Sequence, residues 1–112
     1  MLTNDCVFCK ILRGEIPSSK VYEDEKMCVF KDVEPKAKVH LLAIPKDHFK
    51  LLSEMDEERA ETLKYMLGKI PQIAKDNGCE NGYRLVINQG DDAGQTVFHL
   101  HIHILGGEAL PW

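Results

Sequence analysis

The 112 residues carry 14 Lys and Arg against 18 Asp and Glu, a net charge of −4, and 44% of them are apolar. That is the profile of one soluble domain over residues 1–112, too short for two and short enough that a second copy is expected to complete its core. The acidic balance excludes a protein that grips a nucleic acid polymer through a basic surface but not one that takes a small nucleotide. No run nears the ~20 apolar residues of a bilayer span, and Met1-Leu2-Thr3-Asn4-Asp5 is no basic leader, so a cytoplasmic protein away from membranes is expected.

Apolar side chains at Val7, Phe8, Ile11 and Leu12 recur at helical spacing, which predicts a short helix over residues 7–13 with Gly14 as its C-terminal stop. Residues 20–23 and 27–32 read as a hairpin around the polar turn Asp24-Glu25-Lys26, with Val29 and Phe30 β-prone. Residues 39–44 are a compact apolar run interrupted by His40 and closed by Pro45, a buried third strand. A long helix starts at Asp56, an N-cap residue type followed by Glu57 and Glu58, whose charges suit the positive helix end. Ala60, Leu63, Met66, Leu67, Ile70, Ile73 and Ala74 form its apolar stripe, and Gly78 stops it. Pro71 lacks a backbone donor and is expected to kink or break this helix. Residues 83–88 predict a fourth strand, residues 89–95 a loop with Gly90 and Gly94, and residues 97–105 a fifth strand. The order fits an α+β fold, an antiparallel sheet with helices packed on it.

Four cysteines in a chain with no leader are too sparse for an extracellular disulfide framework, so reduced thiols are expected. Cys28 and Cys79 stand alone and pack most simply as small apolar side chains. Cys6 and Cys9 form a Cys-x-x-Cys, half of a tetrahedral site and a weak zinc signal by itself. A redox pair and plain buried thiols are the competing readings.

His99-Leu100-His101-Ile102-His103-Ile104 alternates with period two, so a strand would put the imidazoles on one face and the aliphatic side chains on the other. A solvated face rarely sets three histidines in register. A single metal held by all three is also disfavoured: at ~3.3 Å per residue the outer two start ~13 Å apart, whereas nitrogens on a tetrahedral zinc sit ~3.3 Å from one another. The row is better suited to divided labour, with imidazoles that hold phosphate oxygens, attack phosphorus and pass protons near neutral pH.

His99-Leu100-His101-Ile102-His103-Ile104-Leu105 resembles the histidine triad signature of nucleotide hydrolases and transferases, in its Hint-type branch. The resemblance extends over Phe8-Cys9-Lys10-Ile11, Glu15-Ile16-Pro17, Ala43-Ile44-Pro45-Lys46-Asp47-His48, Asn88-Gln89-Gly90 and Gly94-Gln95-Thr96-Val97. It implies a five-stranded antiparallel sheet with one long and one short helix. It also implies a homodimer that continues the sheet, with the long helix and the strand at 83–88 at the two-fold interface.

For the site, the resemblance implies that His101 is the nucleophile that carries a nucleoside monophosphate as a covalent intermediate, with a backbone carbonyl fixing its tautomer. His103 would donate to phosphate oxygens, and His40 would support the nucleophile and its proton movements. The first triad histidine, His99, and Thr96, which stands where the family often has Ser, complete the catalytic candidates. Asn88, Gln95 and Val97 match positions that bind phosphate or ribose, Asp32 the one that takes ribose hydroxyls, and Phe8, Ile11, Phe30 and Val33 an apolar wall for the base. In relatives with both cysteines, a structural zinc is held by positions matching Cys6, Cys9, His48 and His99. The implied activity is that of a purine nucleoside phosphoramidase or related nucleotidyl hydrolase. Cleavage of dinucleotide polyphosphates, a nucleotide-binding module with little turnover and a dedicated zinc-handling protein are the alternatives. The tail could cover the chain's own core with Trp112; the resemblance instead sends it toward a partner's site, where Trp112 would help select the leaving group.

Overall fold

The computed structural model describes residues 5–112; residues 1–4, where the absence of a leader was read, lie outside the described residues. Chain order is α1 (Val7–Leu12), β1 (Lys20–Glu23), β2 (Met27–Lys31), β3 (Val39–Pro45), α2 (Glu57–Asp76), β4 (Tyr83–Val86) and β5 (Ile102–Gly106). Single 3₁₀ turns lie at Leu52–Glu54 and Asp91–Ala93. The strands form one antiparallel five-stranded sheet in the order β1-β2-β3-β5-β4, the α+β layout expected.

Strand alternation gives the sheet two apolar faces. On one, Met27, Val29, Leu41, Ala43, Ile102 and Ile104 pack against Met66, Ile70, Ile73 and Ala74 of α2. On the other, Cys28, Phe30, Leu42 and Ile44 pack against Phe8 and Ile11 of α1. Asp24 ties the β1–β2 turn to α2. Its carboxylate accepts from the Tyr22 and Tyr65 hydroxyls (2.7 and 2.6 Å) and from the amides of Lys26 and Met27. Burial alone would raise its pKa; these four donors outweigh that and hold it well below the usual carboxylate range.

Four expectations need correction. The α2 stripe is narrower than predicted, since Ala60 is exposed and Leu67 is 43% exposed. Pro71 does not break α2, because the carbonyl it leaves without an intrahelical donor is that of Leu67, on the solvent face where water can serve it. The fifth strand starts at Ile102 rather than at Val97. Continuing the Ala43↔Ile102 register would set Leu100 opposite Pro45, which has no N–H to donate, and the ladder stops before that point. Likewise β4 ends at Val86, and Asn88 lies in the loop that follows it.

Candidate functional site

On the α1 face, β3 presents His40 two residues from Leu42, and β5 presents His103 directly opposite Leu42. His40 and His103 are therefore diagonal neighbours, and His40 Nε2 lies 2.8 Å from His103 Nδ1. His101 follows on the same face, its ring edge-on to His103 at a centroid distance of 5.0 Å and to Phe8 at 5.1 Å. Together with Asp32, Asn88 and Thr96, these histidines line one cavity of about 460 Å³.

The hydrogen-bond network assigns the protons. The Lys36 N–H donates to His40 Nδ1 (3.0 Å), so neutral His40 carries its proton on Nε2 and donates it to His103 Nδ1. His103 then keeps its own proton on Nε2, which requires the Asn88 side-chain amide, 3.4 Å away, to turn its oxygen rather than its nitrogen toward that ring. His101 donates from Nδ1 to the His99 carbonyl (2.8 Å), which leaves a lone pair on its Nε2. One imidazole is thus set as a nucleophile or base and another as a donor. Asp32 Oδ2 stands 3.3 Å from His40 Nε2, while its Oδ1 accepts the Glu34 N–H.

Burial favours the neutral forms. It holds His103 down to about 4, with His101 and His40 adding to the effect, and it holds His101 and His40 below 6.5 against the opposing pull of Asp32.

His99 departs from the row. Its ring is fully buried outside the cavity, and its Nε2–H donates to the Pro45 carbonyl (2.8 Å). Its Nδ1 lone pair therefore faces His48 Nδ1 at 3.1 Å, Cys6 Sγ at 3.4 Å and Cys9 Sγ at 3.6 Å, and Cys9 Sγ lies 3.4 Å from His48 Nδ1. A tetrahedral zinc with bonds of ~2.0 Å to nitrogen and ~2.3 Å to sulfur requires edges of ~3.3 and ~3.5 Å, and this donor set meets them. The cluster joins the start of α1 to the chain leaving β3. Among the described residues Asp32, His40 and His103 also converge. They are a poor metal site, since His40 spends its lone pair on the Lys36 N–H and shows a proton to the other two.

The remaining candidates divide. Phe8, Ile11 and Phe30 form an apolar wall that Leu42 and Ile16 extend, and Val97 packs on it. Leu42 was findable, two residues from His40 on a period-two strand. Val33 is 92% exposed and stands apart from that wall in the described chain. Gln95 braces the loop instead of facing the cavity. Its N–H donates to the Gly90 carbonyl, its side-chain amide donates to the Lys50 and Val97 carbonyls, and its side-chain oxygen accepts the Gly90 N–H. The Lys36 amide, which sets the direction of the His40–His103 pair, had no signal in the sequence because it is a main-chain group.

A five-stranded antiparallel sheet that lines up His40, His101 and His103 over one cavity is a histidine-triad fold. Residues 5–110 match the family profile described as "Scavenger mRNA decapping enzyme C-term binding". The chain is 50% identical to Protein HitA of Neisseria gonorrhoeae over 92% of its own length and 96% of that protein. It is 45% identical to the 14 kDa zinc-binding protein of Zea mays over 95% and 84% of the respective chains. A histidine triad protein from Clostridium difficile superimposes with a TM-score of 0.94 at 44% identity, covering 99% of this chain and 97% of that one. A HIT family hydrolase from Legionella pneumophila does so with a TM-score of 0.92 at 41% identity, covering 96% and 97%. The chain belongs to the histidine triad (HIT) family of nucleotide hydrolases and nucleotide-binding proteins.

Proposed function

We propose that the protein is a purine nucleoside phosphoramidase, cleaving nucleoside 5′-monophosphate derivatives at the α-phosphorus through a nucleotidyl intermediate on His101. The observation that carries this reading is the His101 Nδ1–H bond to the His99 carbonyl, which leaves Nε2 as the unprotonated nitrogen of a ring lining the cavity. Nε2 forms a bond to phosphorus as the phosphorus–nitrogen bond breaks, and the departing amine takes a proton relayed from solvent through the Thr96 hydroxyl of the cavity, a proton that the later attack of water gives back to solvent. Water then attacks phosphorus, releases the nucleotide and restores His101. His103 Nε2–H and Asn88 hold the phosphoryl oxygens, Asp32 takes the ribose hydroxyls, and Phe8, Ile11 and Phe30 cover the base.

Zinc at Cys6, Cys9, His48 and His99 supplies a closed structural link with no open position for substrate; the maize relative's name and the donor geometry support it. A homodimer across β4 completes the reading: this edge strand exposes Tyr83 and Leu85, and α2 exposes Leu67.

The deciding experiment offers adenosine phosphoramidates and diadenosine polyphosphates side by side and traps label on the protein by acid quench. Preferred turnover of phosphoramidates with label on His101 is expected. Preference for polyphosphates selects the dinucleotide reading, and tight binding without turnover selects a binding module.

The pH dependence follows from burial. Neutral His40 and His103 persist as pH falls through 6.5, so their mutual hydrogen bond survives mild acid. The acid limb of kcat/KM should therefore lie below pH 6.5, with the His103 contribution lost only as pH falls through about 4. An acid limb centred near 6.5 would count against it.

A further inference from the structure

The carbonyl that orients His101 belongs to a stretch without a ladder. Residues 97–101 precede β5 and carry no strand pairing, so other contacts must fix the His99 peptide. Three do so, and all reach the chain that leaves β3. The His99 Nε2–H donates to the Pro45 carbonyl, the Leu100 N–H donates to the Phe49 carbonyl (2.8 Å), and His99 Nδ1 converges on His48, Cys6 and Cys9. His99 thereby belongs to two centres, to the thiol cluster by its side chain and to His101 by its carbonyl.

We propose that the Cys6–Cys9–His48–His99 cluster is a positioning device for the nucleophile: by gripping the His99 imidazole it fixes the His99 carbonyl, and with it the tautomer and direction of His101. This rests on the reading of His101 as the nucleophile. When the grip is released, His48 is freed together with the adjoining Phe49, whose carbonyl receives the Leu100 N–H; the His99–Leu100 peptide can then turn as a unit and carry its carbonyl away, and the His101 proton divides between the two ring nitrogens. The fraction protonated on Nε2 has no lone pair there with which to attack phosphorus. The cluster therefore governs kcat, whereas nucleotide affinity rests on Asp32, Asn88 and the apolar wall and stays as it was.

Cys6→Ser is the probing variant. The Cys6 side chain caps α1 by accepting the Cys9 N–H, and Ser is a favoured N-cap, so the substitution keeps the helix start while removing one sulfur of the cluster. The variant, the wild type and the wild type stripped by a chelator are compared after metal analysis, at a temperature where circular dichroism shows them folded. In the metal-free forms kcat on an adenosine phosphoramidate should fall about 10- to 100-fold while KM stays within about two-fold. The imidazole nitrogen NMR resonances of His101 should move from a single Nδ1–H tautomer toward an average of both. Unchanged kcat and unchanged nitrogen resonances in a folded, metal-free form overturn the proposal. Turnover by His101→Ala overturns the function beneath it. One folded metal-free form is enough to decide.

Discussion

His101→Ala lowers kcat/KM on adenosine phosphoramidates by about 10,000-fold or more while AMP binds within about three-fold of wild type. The asymmetry follows from the division of labour in the cavity. His101 Nε2 is the nitrogen left unprotonated on that ring, and no other imidazole in the row can replace it. His103 spends its Nδ1 lone pair on His40, and His99 is turned away into the thiol cluster. On the proposed reading, ribose and base contacts fall to Asp32 and the Phe8–Phe30 wall, which the substitution leaves in place. Steady-state rates and calorimetric AMP titration on the same preparation check both halves; wild-type-like turnover refutes the assignment.

Removal of zinc lowers Tm by about 15 °C, reversed by one equivalent of zinc per chain. A ligand bound at about 1,000 times its Kd stabilises the native state by about 4 kcal/mol, and for a domain of this length each kcal/mol moves Tm by about 4 °C. The loss falls on α1, whose Cys6 and Cys9 hold the helix against His48 and His99 and whose Phe8 and Ile11 close one face of the sheet. Cys9→Ala should reproduce the shift without chelator. Calorimetry paired with metal analysis of untagged protein tests this. Less than about 0.2 zinc per chain, or an unchanged Tm on chelation, argues against a structural ion.

Much of this architecture is legible in residue order. Period-two alternation through His99–Ile104 separates the aliphatic face from the imidazole face, and the α2 stripe and its Asp56 cap locate the long helix. What alternation could not show is that Pro45 ends the ladder early and releases His99 from the row. A predicted strand with three histidines on one face is in fact two histidines of the cavity and one of the thiol cluster. The spacing argument against one ion for all three holds because only His99 turns to the cysteines. Composition likewise could not separate Gln95 from Asn88: both are amides beside the same loop, but Gln95 has its hydrogen-bonding groups taken up by backbone at Gly90, Lys50 and Val97. Membership in a core, as for Ile16, is a property of packing and enters only with the fold.

The Lys36 N–H to His40 bond makes the site unusually tolerant of genetic change at one position. The direction of the His40–His103 pair is written in a main-chain group, which nineteen of the twenty amino acids supply equally. Lys36 can drift in charge and size while the proton on His40 stays where it is. Proline alone lacks the donor, and a chain carrying it there would leave His40 free to take either tautomer.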